Sequence, residues 1–382
     1  MIWFCFLFIP RHYKKEKSTF LGYSLIGQLN YTKDPLPSAV GAWKVKDDVL
    51  NRLQQNPLQV SQTGNGTVRS AEYLTADSLE YIKTRQNAAT KDLMLNARLE
   101  YRANKKLSFY AGGNLSYSNG HDYIYQYSLL NSENNPYYKS NNWRVYGRMV
   151  HKIGVQNEDL KSGDKSPLIK NAYYTLQTDY NSNNYSTMDD THGKNLFDYG
   201  YIGQFQTTQE KNYVYDSAGV NGAGYYMQGW QDKEFTLLNI GNNATASRYT
   251  QQYYEIYNGY VTGNYENYDQ VQKGGALLNG DRPQHVYDIL YSTGRQSNGY
   301  GTSQRNQFRL IGSIFADIKN HELNAGFEYE QRLERSYSIS PMNLWTLARQ
   351  LGNAKNTELD KDEIDEAEID EAEIDEANEN EE

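Results

Sequence analysis

Residues Gln307–Asp317 and Leu323–Leu333 form two arms of eleven residues that alternate apolar and polar side chains around a short polar turn. Phe308, Leu310, Gly312, Ile314 and Ala316 fall on one face of the first arm; Leu323, Ala325, Phe327 and Tyr329 do so in the second. Successive side chains of a strand point to opposite faces, so the pattern predicts a hairpin with one apolar and one polar side. Length narrows the choice further. Globular strands most often run about 5–6 residues, whereas a tilted strand needs about 9–11 to cross a bilayer. A β-sandwich alternates in the same way, and it is the arm length that favours a membrane wall. Ile311 and Phe315 break the pattern, because they stand on the polar side.

The design recurs at Asp92–Ser118. Leu93, Leu95, Ala97, Leu99 and Tyr101 share a face, as do Leu107, Phe109, Ala111, Gly113, Leu115 and Tyr117 after the turn Arg102–Lys106. Met94 is the exception. Tyr101 and Tyr117 fall near opposite strand ends, where amphipathic rings suit membrane interfaces.

Strands are further expected at Tyr23–Tyr31, Trp143–Ile153, Asn171–Tyr180 and Tyr199–Gln206. The segments 33–90, 119–142, 181–195 and 211–306 are long and rich in Asn, Gly, Ser, Asp and Tyr. Loops of this length are unusual in compact domains but normal on the outer side of a barrel. Segment 211–306 is expected to hold further strands, Gln251–Tyr260 among them. One helix is marked by Ser340-Pro341 at its start, a stripe of Leu344, Leu347, Ala348 and Leu351, and Gly352 at its end. It is expected to pack within an outer loop.

The 36 tyrosines, against 11 Phe and 5 Trp, suit interfaces, barrel girdles and solute-contacting loops. Charge is unevenly placed. The net charge is -9, but residues 355–382 alone carry 15 acidic residues and 2 lysines. The body is therefore near neutral and offers no basic stripe, so nucleic acid is not an expected partner. Three five-residue repeats at Ile364–Asn378 add to the reading of 355–382 as a disordered, acidic, low-complexity tail. At the other end, Met1–Ile9 is apolar and precedes Arg11, Lys14 and Lys15, the reverse of a secretory signal. Residues 1–18 are expected to be non-native or poorly ordered.

Chemistry is sparse. The single Cys5 excludes intrachain disulfides, and the six histidines (His12, His121, His151, His192, His285 and His321) are scattered, each expected on a surface or turn. No nucleophile elbow, phosphate-binding loop or dinucleotide fingerprint occurs. Glu328, Glu330 and Glu334 with Arg332 and Arg335 could imitate a glycosidase carboxylate pair, but a charged ladder on one strand face is the simpler reading. No enzyme activity, catalytic residue, metal or cofactor is expected.

Phe308–Glu334, then Ser340-Pro341 and Leu344-Trp345 to Gln350-Leu351, resembles the barrel of TonB-dependent outer-membrane receptors. The likeness is to those that carry an N-terminal carboxypeptidase-regulatory-like domain. Its most specific part is Asn320-His321-Glu322-Leu323 with Gly326–Arg332; Asn279–Pro283 and Tyr199–Gly203 add to it. The resemblance implies a barrel of about 22 strands around a plug, importing a glycan, peptide or metal chelate with energy from TonB. It also implies contact with outer-membrane lipid in a Gram-negative bacterium and a surface lipoprotein partner. No plug, TonB box or aromatic-ended closing strand is apparent. The expected fold is thus all-β: a partial antiparallel transmembrane β-barrel over residues 19–354 with long polar loops and one short loop helix. Such a barrel fragment is not expected to transport alone. The alternative is a secreted β-rich adhesin or glycan-binding module.

Overall fold

The structure, a computed structural model, describes residues 2–15, 18–64, 66–153, 168–218, 222–260 and 266–357. Its frame is one antiparallel sheet of eight strands. The elements in chain order are β1 (Ile2–Lys15), β2 (Ser18–Thr32), β3 (Ala42–Val45), α1 (Asp47–Gln55), β4 (Leu58–Val60), β5 (Thr67–Arg69), β6 (Leu79–Ile82), β7 (Thr90–Arg102) and β8 (Leu107–His121). They continue as β9 (Tyr137–Lys152), β10 (Ile169–Met188), β11 (Gly203–Asp216), β12 (Gly224–Ile240), α2 (Ala244–Tyr260) and α3 (Tyr268–Lys273). The last are β13 (His285–Val286), β14 (Leu290–Tyr291), β15 (Tyr300–Ile318), β16 (His321–Ile339) and α4 (Asn343–Thr357). The sheet runs β1-β2-β7-β8-β9-β10-β15-β16, and β1 and β16 are its open edges.

Seven of the eight expected strands stand in this sheet. The eighth, Tyr199–Gln206, does not: its second half enters β11, which pairs only with β12 in a separate hairpin. Residues 1–18, set apart by the sequence, include a strand that extends the sheet, since β1 pairs along β2. The tail 358–382 lies outside the described residues.

Two tight turns lie at one end of the sheet, the end at which the 16-residue connection 153–168 also joins β9 to β10, and three long segments lie at the other. At one end, four residues join β7 to β8, and Asn104 Oδ1 accepts from the backbone N–H of Lys106 at 2.8 Å and Leu107 at 2.9 Å. At the same end only Lys319 and Asn320 join β15 to β16, with Lys319 at φ 53, as a two-residue hairpin turn requires. At the other end lie the segments 33–89, 122–136 and 189–299 and the helix α4.

That end holds the buried core. One apolar cluster joins Leu58, Ile202 and Phe235 with Tyr249 and Tyr253 of α2 and Val271 of α3. A second gathers Val45, Val49 and Leu53 with Ala71, Leu130 and Val286. Val49 and Leu53 stand one helical turn apart on α1, whose first-turn Asp47 and Asp48 suit a helix N-terminus. Asn267 and Gln270 form a reciprocal capping box at the start of α3.

Three expectations fail here. The Gln251–Tyr260 strand is part of α2, because Ala246, Tyr249 and Tyr253 recur at helical spacing and are buried together. Four α-helices are present among the described residues rather than one. The last of them begins at Asn343, after a turn in which Ser340 and Pro341 carbonyls accept from Asn343 and Leu344, and Gly352 lies inside it. Its apolar stripe is not its packed side: Leu347 and Leu351 are exposed, while Trp345 and Arg349 are half-buried.

Candidate functional site

Register fixes which side chains share a face of the sheet, since directly opposed residues point the same way. One row reads Tyr23, Leu99, Ala111, Gly147, Thr178, Leu310 and Tyr329. The next reads Leu21, Tyr101, Phe109, Met149, Leu176, Gly312 and Phe327. These rows belong to an apolar face that nothing among the described residues covers: Leu25, Leu99, Val145, Leu176, Ile314 and Phe327 are 42–59% exposed. On a soluble monomer the largest apolar patch is about 300–600 Å², and a wider one marks contact with protein or lipid.

The apolar band has a constant height. It runs Leu93–Tyr101 in β7, Leu107–Tyr117 in β8, Phe308–Ala316 in β15 and Leu323–Leu333 in β16. Aromatic pairs lie toward its two ends, with Tyr101–Phe109 centroids 6.4 Å apart near the short turns and Trp143–Tyr180 centroids 5.4 Å apart toward the long segments. The rows of Tyr101 and Tyr117 are eight residues apart on β7, about 26 Å along a strand at ~3.3 Å per residue. Tilt of about 40° reduces that to roughly 20 Å, close to the ~25 Å apolar belt of membrane barrels. Beyond the band the strands continue toward the long segments with polar residues, as in Asn181–Met188 and Tyr300–Asn306.

The opposite face is charged. Asp179, buried, pairs with Arg144 at 3.3 Å and Arg309 at 3.2 Å. Arg309 reaches Glu328 at 3.5 Å, Arg305 reaches Glu334 at 2.6 Å, and Arg332 reaches Glu330 at 3.4 Å. Glu328, Glu330 and Glu334 therefore form a ladder of ion pairs along one strand, with no facing carboxylate among the described residues to make a glycosidase pair. Arg335 does not join them: it opposes Gln304 and falls on the apolar side. Phe315, an exception to the alternation, stacks on Tyr173 across the polar face with centroids 5.2 Å apart.

At the long-segment end, three stretches far apart in sequence meet. Asn279 Oδ1 accepts from the backbone N–H of Ile202 at 2.8 Å and Gly203 at 3.1 Å, while its amide donates to the Gly203 carbonyl at 2.9 Å. Gly280 N–H donates to the Gly200 carbonyl at 2.9 Å. Trp345 of α4 stacks on Tyr201 at 5.5 Å and donates its indole N–H to the Tyr199 carbonyl at 3.0 Å. The stretches Tyr199–Gly203, Asn279–Pro283 and Ser340–Leu351 thus form one clamp.

Beside it sits a buried polar group that the sequence did not signal. His192, expected on a surface or turn, lies in a turn but is buried, 5% exposed, and shares hydrogen bonds with Asn243 and Gln296. Nothing local in the sequence distinguishes it from the other histidines. Among the described residues no group of His, Cys, Asp and Glu is placed to hold a metal ion. No helix among them is long and apolar enough to cross a membrane.

One titratable group in this region responds near neutrality. Glu266 is buried with its Oε1 unpartnered, and burial, aided by the Glu234 charge, pushes its carboxyl up to about 7. A raised carboxyl pKa favours the protonated form in the fold. Its stabilising effect is complete below the ordinary value of 4.5 and is lost as pH rises through about 7. Amide protection in α3 should therefore be weaker at pH 8 than at pH 6 after correction for intrinsic exchange, and Glu266→Gln should abolish the difference.

The chain matches no protein-family model and no curated protein.

Proposed function

We propose that this chain forms part of the wall of an outer-membrane β-barrel receptor of the TonB-dependent type, whose complete barrel imports a nutrient such as a glycan, peptide or metal chelate. The observation that carries this reading is the uncovered apolar face, 9–11 residues tall in each of β7, β8, β15 and β16, backed by a charged face. Lipid is the partner that such a face fits, because a strand of that height matches the hydrocarbon thickness. Two tight turns at one end and three long segments at the other agree with an inner and an outer side of such a barrel, with the 16-residue β9–β10 connection as the exception.

The open edges belong to the same argument. Unpaired backbone is costly in lipid, so β1 and β16 need further strands before the wall is stable there. An open sheet encloses no lumen, and these residues alone therefore carry no solute. In the complete barrel the charged face lines the lumen, the Tyr-rich long segments face the solute, and coupling to TonB runs through a plug that the described residues do not form.

Alkaline carbonate extraction of membranes from cells expressing the chain tests the reading. Retention in the pellet is expected. Release into the soluble fraction would instead favour a secreted β-rich adhesin or glycan-binding module.

A further inference from the structure

The charged face carries an excess of positive charge at one place. A cavity of about 620 Å³ opens on it, lined by Arg98, Arg144, Arg148 and Lys152 together with Tyr110 and Tyr146. No carboxylate of the described residues lines it. The two nearest in register are already engaged: Asp179 holds Arg144 and Arg309, and Glu100 holds Arg102 at 2.9 Å. Among the described residues, Arg98, Arg148 and Lys152 take part in no ion pair; Arg98 lies 5.7 Å from the Tyr110 ring centroid.

Beside the Arg144–Asp179 pair, three cations without a carboxylate partner share one concavity, and an anion there would offset their mutual repulsion. The low-dielectric sheet beneath concentrates their field in the cavity. Guanidinium groups bind sulfate, phosphate and carboxylate oxygens through paired N–H donors, and tyrosine rings offer a flat apolar surface beside them. The volume is that of a small-molecule site, within the usual range of about 300–1,000 Å³. From these observations we infer that this cavity is a binding site for a compact solute bearing several oxyanion groups on a ring scaffold, such as a sulfated or phosphorylated sugar. Arg98 and Arg148 grip the oxyanions, Lys152 adds charge at the short-turn end, and the tyrosine rings pack against the scaffold. The inference uses the polar face alone and stands whether the opposite face meets lipid or protein.

Titration calorimetry on the purified full chain in detergent micelles tests it, with sucrose octasulfate and inositol hexakisphosphate as probes and sucrose as the neutral control. Binding of at least one polyanion at low salt is expected, weakening as salt is added, with none for sucrose. The tighter probe identifies the preferred ester. Arg98→Gln and Arg148→Gln should each weaken binding about tenfold, as loss of a charge-assisted hydrogen bond does. Arg305→Gln, on the same face but paired with Glu334 outside the cavity, should leave the affinity unchanged. The inference is overturned if neither polyanion binds, if the double variant Arg98→Gln/Arg148→Gln binds like the parent, or if Arg305→Gln weakens binding as much as the cavity variants.

Discussion

Arginine in place of both Leu99 and Leu310 is expected to release the chain from carbonate-washed membranes. The two leucines share one row of the apolar face, near the middle of its band, and Leu99 is 44% exposed with no protein partner above it. An arginine on the lipid face near the bilayer midplane costs about 2–4 kcal/mol, so the pair costs about 4–8 kcal/mol together. At 1.4 kcal/mol per tenfold, membrane partition falls by roughly three orders of magnitude or more. Ile311→Arg is the matched control. Ile311 is one residue from Leu310 but stands on the charged face opposite Glu328, where a cation gains a partner. That variant should stay with the membrane. Equal behaviour of the two variants would mean that the faces do not differ in environment.

The second large effect concerns the clamp at the long-segment end. Gly280 has φ +91, and a Cβ there would lie 2.8 Å from both the Met342 carbonyl oxygen and the Trp345 Cβ. One neighbour is backbone and the other is the root of a side chain held by stacking and a hydrogen bond, so neither moves cheaply. Left-handed backbone costs an L-residue about 1–2 kcal/mol, and overpacking adds about 1–3 kcal/mol. Gly280→Ala should therefore loosen α4 from Tyr199–Gly203, red-shift the tryptophan emission and speed proteolysis of the long segments. Gly352→Ala supplies the contrast. It lies inside α4 with nothing within 4 Å of the added methyl, and helix propensity favours alanine by about 0.5–1 kcal/mol. Comparable stability of the two variants would refute the clamp.

The sheet was legible because a period of two survives in the sequence wherever one face is apolar. Leu93–Tyr101 and Phe308–Ala316 could be read as strands with no further information. Where both faces turn polar, the same strands lost their signal. Asn181–Met188 and Tyr300–Asn306 continue β10 and β15, yet they read as loop because Asn, Ser, Gln and Tyr alternate with one another. Tyrosine also concealed α2: it is common in strands, and only the burial of Tyr249 and Tyr253 one turn apart makes the helix plain. The clamp was half legible. Its three stretches stood out as family-like, but their meeting depends on contacts spanning roughly 60–150 residues, which no local pattern records. The cationic cavity is of the same kind. Arg98, Arg144 and Arg148 come from three strands, and only the register brings them together.

On the proposed reading, one face of this sheet meets lipid and the other water. Spin labels at single cysteines, introduced in a Cys5→Ser background, test it most directly. Labels would be placed at Leu95, Asn96, Ala97, Arg98 and Leu99 and at Phe308, Arg309, Leu310 and Ile311, with the chain reconstituted in lipid vesicles. The account predicts a period of two: high oxygen collision at Leu95, Ala97, Leu99, Phe308 and Leu310, and high collision with a polar nickel reagent at Asn96, Arg98, Arg309 and Ile311. Uniform access of the nickel reagent at all nine positions, or no alternation between neighbours, would contradict it.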